Sequence, residues 1–144
     1  MSVPNSTKWE IEPHTAAKHV ILQNYLRAWF PIMGRYNARI LFLDGYAGPG
    51  EYEGGQEGSP IIAIKEALKY FDACEKHGWT KPEIVFMFIE EDQDRATNLE
   101  QKIAELNLPK KLIVHVVNST FEEVSRDIAE TLNQQNASLA PAFL

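Results

Sequence analysis

The chain has 144 residues, 44% hydrophobic and 24% charged, with a net charge of −6 and a single cysteine, Cys74. That is the profile of one ordinary globular domain, and it excludes an internal disulfide, a Cys/His zinc site and a membrane-spanning run of ~20 apolar residues. The segment "MSVPNSTKWEIEPH" lacks the apolar core of a signal peptide, so the chain reads as cytoplasmic, and its acidity argues against a surface built wholly to grip nucleic acid.

Residues 14–33, "HTAAKHVILQNYLRAWFPIM", place Ala17, Val20, Ile21, Tyr25, Ala28, Trp29 and Ile32 at spacings of three and four, which predicts a helix. Leu22, Leu26 and Phe30 widen that stripe, so the helix is expected to be heavily buried; Pro31 and Gly34 should end it near residues 30–34. "ARILFLD" (38–44) is a short apolar run bounded by turn signals, the pattern of a strand covered on both faces. After a glycine-rich loop, Ser59 is expected to cap a helix with Pro60 in its first turn. Its apolar face would comprise Ile61, Ile62, Ile64, Leu68 and Phe71, with Gly78 just past its end. "EIVFMFIEED" (83–92) predicts a second buried strand ending in acids. Asp92 can then cap a helix lined by Ala96, Leu99, Ile103 and Leu106. A third strand follows over 111–117. Ser119-Thr120-Phe121-Glu122 matches a capping box for a helix marked by Val124, Ile128 and Leu132, and a fourth strand begins at "APAFL".

A helix followed by three strand–helix units implies a Rossmann-like α/β domain with a mostly parallel sheet and flanking helices. One domain is expected: an N-terminal helical segment over 1–37 packed on the sheet-bearing part over 38–144. A charged carboxyl terminus inside an apolar strand is costly to bury, so the chain is expected to be the first part of a longer protein, cut after strand four begins. Right-handed crossovers bring the ends of the first three strands to one edge, where loops 44–58, 90–92 and 118–120 meet.

The first of those loops, in "FLDGYAGPGEYEGG", admits three ligand chemistries. A phosphate-binding P-loop requires Gly-Lys-Ser/Thr, but Gly50 is followed by Glu51, and Glu53 and Glu57 would also repel phosphate. A dinucleotide fingerprint matches only at Gly48-Pro49-Gly50; its third glycine is replaced by Glu53, and Glu90 lies forty residues past Gly50, which disfavours NAD. S-adenosylmethionine fits better, since it carries an ammonium and two ribose hydroxyls and no phosphate. Asp44 could accept from the ammonium, Gly48 and Gly50 would admit close backbone approach, Glu90 could accept from the ribose, and Asn118 could bond the adenine edge.

Each of these residues has a plainer reading alone. Asp44 could form a turn with its own backbone, Glu90 could favour the next helix N-terminus, and Asn118 could be a cap. Convergence at one edge is what favours a site. His14 and Lys18 share a helix face and could meet the cofactor carboxylate, or lie in solvent. No metal cluster or Ser–His–Asp set stands out.

"KWEIEPHTAAKHVILQNYLRAW", "LDGYAGPGEYEGGQEGSPIIAI" and "FIEED" together resemble the three-Cys-motif partner proteins, a prokaryotic family. The resemblance spans essentially the whole chain and rests mainly on its first 65 residues. It implies a class I methyltransferase-like fold and, as a partner, a three-Cys-motif protein encoded nearby. The glycine region is also similar to that of adenine-N6 ribosomal RNA methyltransferases. That similarity implies S-adenosylmethionine roles for Asp44, Gly45, Tyr46, Gly48 and Gly50, with Lys18 near the methionyl carboxylate, and a nucleic-acid base as methyl acceptor. Asn118 stands where many such enzymes carry an acid. The Asp-Pro-containing catalytic motif expected after strand four would lie beyond Leu144, so no residue here is assigned to methyl transfer. The alternative is a non-catalytic interaction module.

Overall fold

Short runs dense in branched and aromatic residues form the strands, and longer runs of helical period form the helices between them. The computed structural model describes residues 13–45, 47–48, 57–135 and 142–143. In chain order it contains α1 (Pro13–Tyr36), β1 (Arg39–Asp44), α2 (Ser59–His77), β2 (Glu83–Ile89), α3 (Gln93–Ala104), β3 (Leu112–Val117), α4 (Phe121–Gln135) and β4 (Ala142–Phe143). Every strand pair is parallel and the sheet order is β3-β2-β1-β4. The chain steps one way from β1 to β3, then returns past β1 to β4. The result is an α/β parallel sheet flanked by helices, compatible with the expected Rossmann-like arrangement, and its order reverses between β1 and β4.

Strand side chains alternate between two apolar layers. Ile40 and Phe42, Ile84, Phe86 and Phe88, and Leu112 join Leu26, Phe30, Ile61, Ile64 and Leu99 from α1, α2 and α3 in the larger core. Leu43 and Ile89 face the other way and meet Val124 of α4, with Met87, Val117 and Ile128 packed around them. Both faces of the sheet are thus covered, which is why the strands read as continuous apolar runs. Aromatic rings bind the larger layer, Phe86 lying 5.3 Å from Phe42 and 6.3 Å from Phe30 between centroids. No helix among the described residues is long and apolar enough to cross a membrane.

Three local expectations need correction. α1 does not stop near residues 30–34 but runs through Pro31 to Tyr36, where Asn37 Nδ2 donates to the carbonyl of Met33 at 2.9 Å. Gly34 serves packing there, since a Cβ at 34 would collide with the Tyr70 hydroxyl of α2. Nor is α1 buried all round. The sheet and α2 cover Leu26, Trp29 and Phe30, while Val20, Ile21, Tyr25 and Ile32 of the predicted stripe are more than half exposed. A helix apolar around much of its circumference offers two overlapping stripes, and its neighbours select one. Finally, both caps shift. Gly58, not Ser59, is the N-cap of α2, because the Ser59 hydroxyl donates to Asp44 instead. Thr120, not Ser119, caps α4: Glu123 N–H donates to Thr120 Oγ1 at 3.2 Å, and Ser119 Oγ donates to Glu123 Oε2 at 2.6 Å. The Asp92 cap stands, accepting from Arg95 N–H at 2.9 Å.

Candidate functional site

The ends of β1, β2 and β3 meet at one edge and are tied by the main chain. Ala47 N–H donates to Ile89 O at 3.0 Å, hanging the glycine loop on the end of β2, and Glu90 N–H donates to Val117 O at 2.9 Å. Glu90 sits at the centre, 7% exposed. Its Oε2 accepts from Gly48 N–H at 2.8 Å and its Oε1 from Asp92 N–H at 3.1 Å. Arg95 Nη1 stands 3.9 Å from Oε1, so backbone amides, more than a cation, hold this carboxylate. Each oxygen retains acceptor capacity after these bonds.

Asn118 joins the same centre from β3. Its Nδ2 donates to the carbonyls of Glu90 at 3.0 Å and Glu91 at 2.9 Å. With both amide hydrogens directed inward, what Asn118 has for a ligand is the Oδ1 acceptor. Asp44 ends β1 at the first turn of α2, where Ser59 Oγ donates to its Oδ2 at 3.4 Å. A carboxylate at a helix N-terminus is favoured by the helix dipole. Asp44, Glu90 and Asn118, predicted from sequence to converge, do share the edge.

Two glycines shape the loop between them. Gly48 has φ +71°, the left-handed region, which turns its N–H toward Glu90, and a Cβ there would meet nothing within 4 Å. Gly45 is needed for space: a Cβ would come within 2.5 Å of the Phe121 ring at the start of α4. Phe121, 38% exposed, was read from sequence only as part of a capping box; an aromatic directly after a strand-end loop was the signal for its place beside Gly45.

Lys18, on α1, is exposed and makes no ion pair with the described residues. His14 belongs to the first turn of α1, but its side chain is outside what is described; Tyr46, Gly50, Glu51 and Glu53 also fall outside the described residues. Glu57 pairs with Lys65 at 2.8 Å, which accounts for one acid of the 51–57 segment. Among the described residues no cluster of three or more His, Cys, Asp or Glu could hold a metal ion.

The edge is rich in acceptors and lies beside the β1/β4 reversal, where open α/β sheets take their ligands. Its acceptors suit a ligand that presents N–H and O–H groups and repel one that presents phosphate. No protein-family model and no curated protein matches the chain.

Proposed function

We propose that the chain binds S-adenosylmethionine and forms the cofactor-binding part of a class I methyltransferase-like protein of the three-Cys-motif partner type. The observation that carries this reading is the set of three acceptors, Asp44, Glu90 and Asn118, at the switch-point edge of a parallel sheet. S-adenosylmethionine offers an ammonium, a ribose diol and an exocyclic amine, all donors, and no phosphate. Asp44 would take the ammonium, the remaining lone pairs of Glu90 the ribose hydroxyls, and Asn118 Oδ1 the adenine amine. Lys18, exposed on α1, would meet the methionyl carboxylate. When bound, the cofactor supplies an electrophilic methyl group for direct displacement. These residues hold and orient it, and positioning supplies much of the acceleration. The acceptor we propose, by analogy with the ribosomal RNA enzymes, is a nucleic-acid base, unpaired or flipped from its stack, with a three-Cys-motif protein as partner.

Calorimetric titration with S-adenosylmethionine, S-adenosylhomocysteine, NAD and ATP tests this. Binding confined to the first two supports the reading. Binding of NAD or ATP alone, or of none of the four, sinks it.

A further inference from the structure

At the opposite edge of the sheet, where α1 and α2 both end, a groove runs between the two helices. One cavity of about 320 Å³ is lined by Pro31, Gly34, Arg35, Tyr70, Trp79 and Thr80. A second of about 190 Å³ shares Pro31, Tyr70 and Trp79 and reaches Arg27, Glu66 and Lys69. The larger is at the lower bound of small-ligand pockets. Trp79 is 51% exposed, and the His77 ring stacks on it at 4.7 Å with 24° between planes, fixing the indole as one wall. An exposed tryptophan held in place by a stacked neighbour is a platform for another planar ring.

The charge around that platform is one-sided. α1 contains no Asp or Glu over its 24 residues. Glu66 is the one carboxylate lining either cavity, and it is bonded by two cations, Arg27 at 3.1 Å and Lys69 at 3.3 Å. Arg35 is exposed, its guanidinium 6.0 Å from the Tyr36 ring centroid, with no carboxylate partner among the described residues. In a chain of net charge −6, this groove is a local excess of positive charge beside an aromatic wall.

We propose that this groove binds a nucleotide unit: a planar base stacked on Trp79, with its phosphate on Arg35 and the Thr80 hydroxyl beside it. The chemistry is the same for a free nucleotide and for one residue of a single-stranded nucleic acid. The site is separate from the Asp44–Glu90 edge, so it stands whether or not that edge takes S-adenosylmethionine.

The test is fluorescence and calorimetric titration of the full-length protein with uridine 5′-monophosphate, uridine and a hexauridylate, with S-adenosylhomocysteine present throughout. Uridine ligands lack adenine and so avoid the other edge. The proposal expects quenching by the monophosphate or the hexamer. It also expects affinity to fall about tenfold or more in Trp79→Ala and Arg35→Gln, and uridine to bind at least tenfold more weakly than its phosphate. Preference for the hexamer identifies a nucleic-acid strand; equal affinity identifies a free nucleotide. Both side chains are exposed, and circular dichroism melts verify that the variants fold. Absence of binding, or binding indifferent to both substitutions, overturns the proposal and leaves Trp79 as an anchor for some other partner.

Discussion

Two side chains among the described residues are both charged and buried, and they are held in opposite ways. Glu66, on α2, is gripped by side-chain cations: Arg27 Nη2 donates to Oε1 at 3.1 Å and Nε to Oε2 at 3.4 Å, while Lys69 adds a third contact. Glu90, at the end of β2, is held by the main-chain N–H groups of Gly48 and Asp92. A carboxylate neutralised by cations from its own and a neighbouring helix is a staple, with its charge spent. One held by backbone dipoles at a sheet edge keeps most of its charge for a visitor and fixes the loop that receives it. Burial alone would have ranked the two as equals; their partners separate an acid matched by side-chain cations from the one proposed to meet a ligand.

The sharpest break between them is a pair of alanine substitutions read by two assays. Glu90→Ala should weaken S-adenosylmethionine about a hundredfold, roughly 3 kcal/mol for a lost charge-assisted acceptor. It should also destabilise the fold by about 1–3 kcal/mol, because two N–H groups lose their acceptor. Glu90→Gln, whose single oxygen can serve one of the two N–H groups while its NH2 faces the other, should recover only part of the stability and little of the affinity. Glu66→Ala should do the reverse. It should lower stability by about 1–2 kcal/mol and leave affinity within about twofold. The stability loss is moderate because Arg27 and Lys69 are 56% and 60% exposed and regain water when the carboxylate goes. Denaturant titration beside calorimetry measures both quantities. If Glu90→Ala costs stability but no affinity, the two acids are both staples and the site assignment is wrong.

The sequence exposed Glu90 and hid Glu66. Glu90 was legible because it closes an apolar strand, and alternation of strands and helices implies parallel strands whose ends share one edge. Asp44 and Asn118 were found the same way, as polar residues ending apolar runs. Glu66 sits within "IIAIKEALKYF", where one acid in a helix gives no sign of its depth; its partner Arg27 lies 39 residues earlier on another helix. Tertiary pairing of that kind leaves no local pattern. The face of α1 was misread for a related reason: period shows that a stripe exists, while α2 and the sheet decide which stripe is covered. Arg35, on α1, and the adjacent Trp79 and Thr80, after α2, likewise come from distant parts of the chain, so nothing in their spacing marked a groove. Caps were off by one where a side chain had a better partner, as Ser59 has in Asp44.

A smaller effect tests how the candidate edge is shaped. Gly45→Ala puts a methyl group against Phe121, and this ring is partly exposed and able to swing outward, so the loss should be about 1 kcal/mol in stability, with a severalfold drop in cofactor affinity. Adding Phe121→Ala should restore space, so the double variant should be less destabilised than the sum of the two single changes. Strict additivity in that cycle would mean that the two residues do not touch.

The smallest effect isolates Glu66 by pH. Burial is the largest influence on this carboxyl and pushes it up, but hydrogen bonds from Arg27, Gln23 and Lys69, with the nearby Lys69 charge, together outweigh burial and carry it below its ordinary value of 4.5. The unfolded chain therefore takes up the proton first as the solution is acidified. The stabilisation from Glu66 is complete above pH 4.5 and is lost as pH falls through the lower folded value. Other acids titrate in the same window, so the informative quantity is the difference between wild type and Glu66→Gln in denaturation series from pH 7 to about 3.5. Wild-type stability should fall more steeply, and the gap between the two proteins should narrow as the wild-type carboxyl becomes neutral. A gap constant across the whole range would mean that Glu66 is protonated alike in both states. Arg27 and Lys69 would then be no more than neighbours of Glu66, and the contrast with Glu90 would rest on geometry alone.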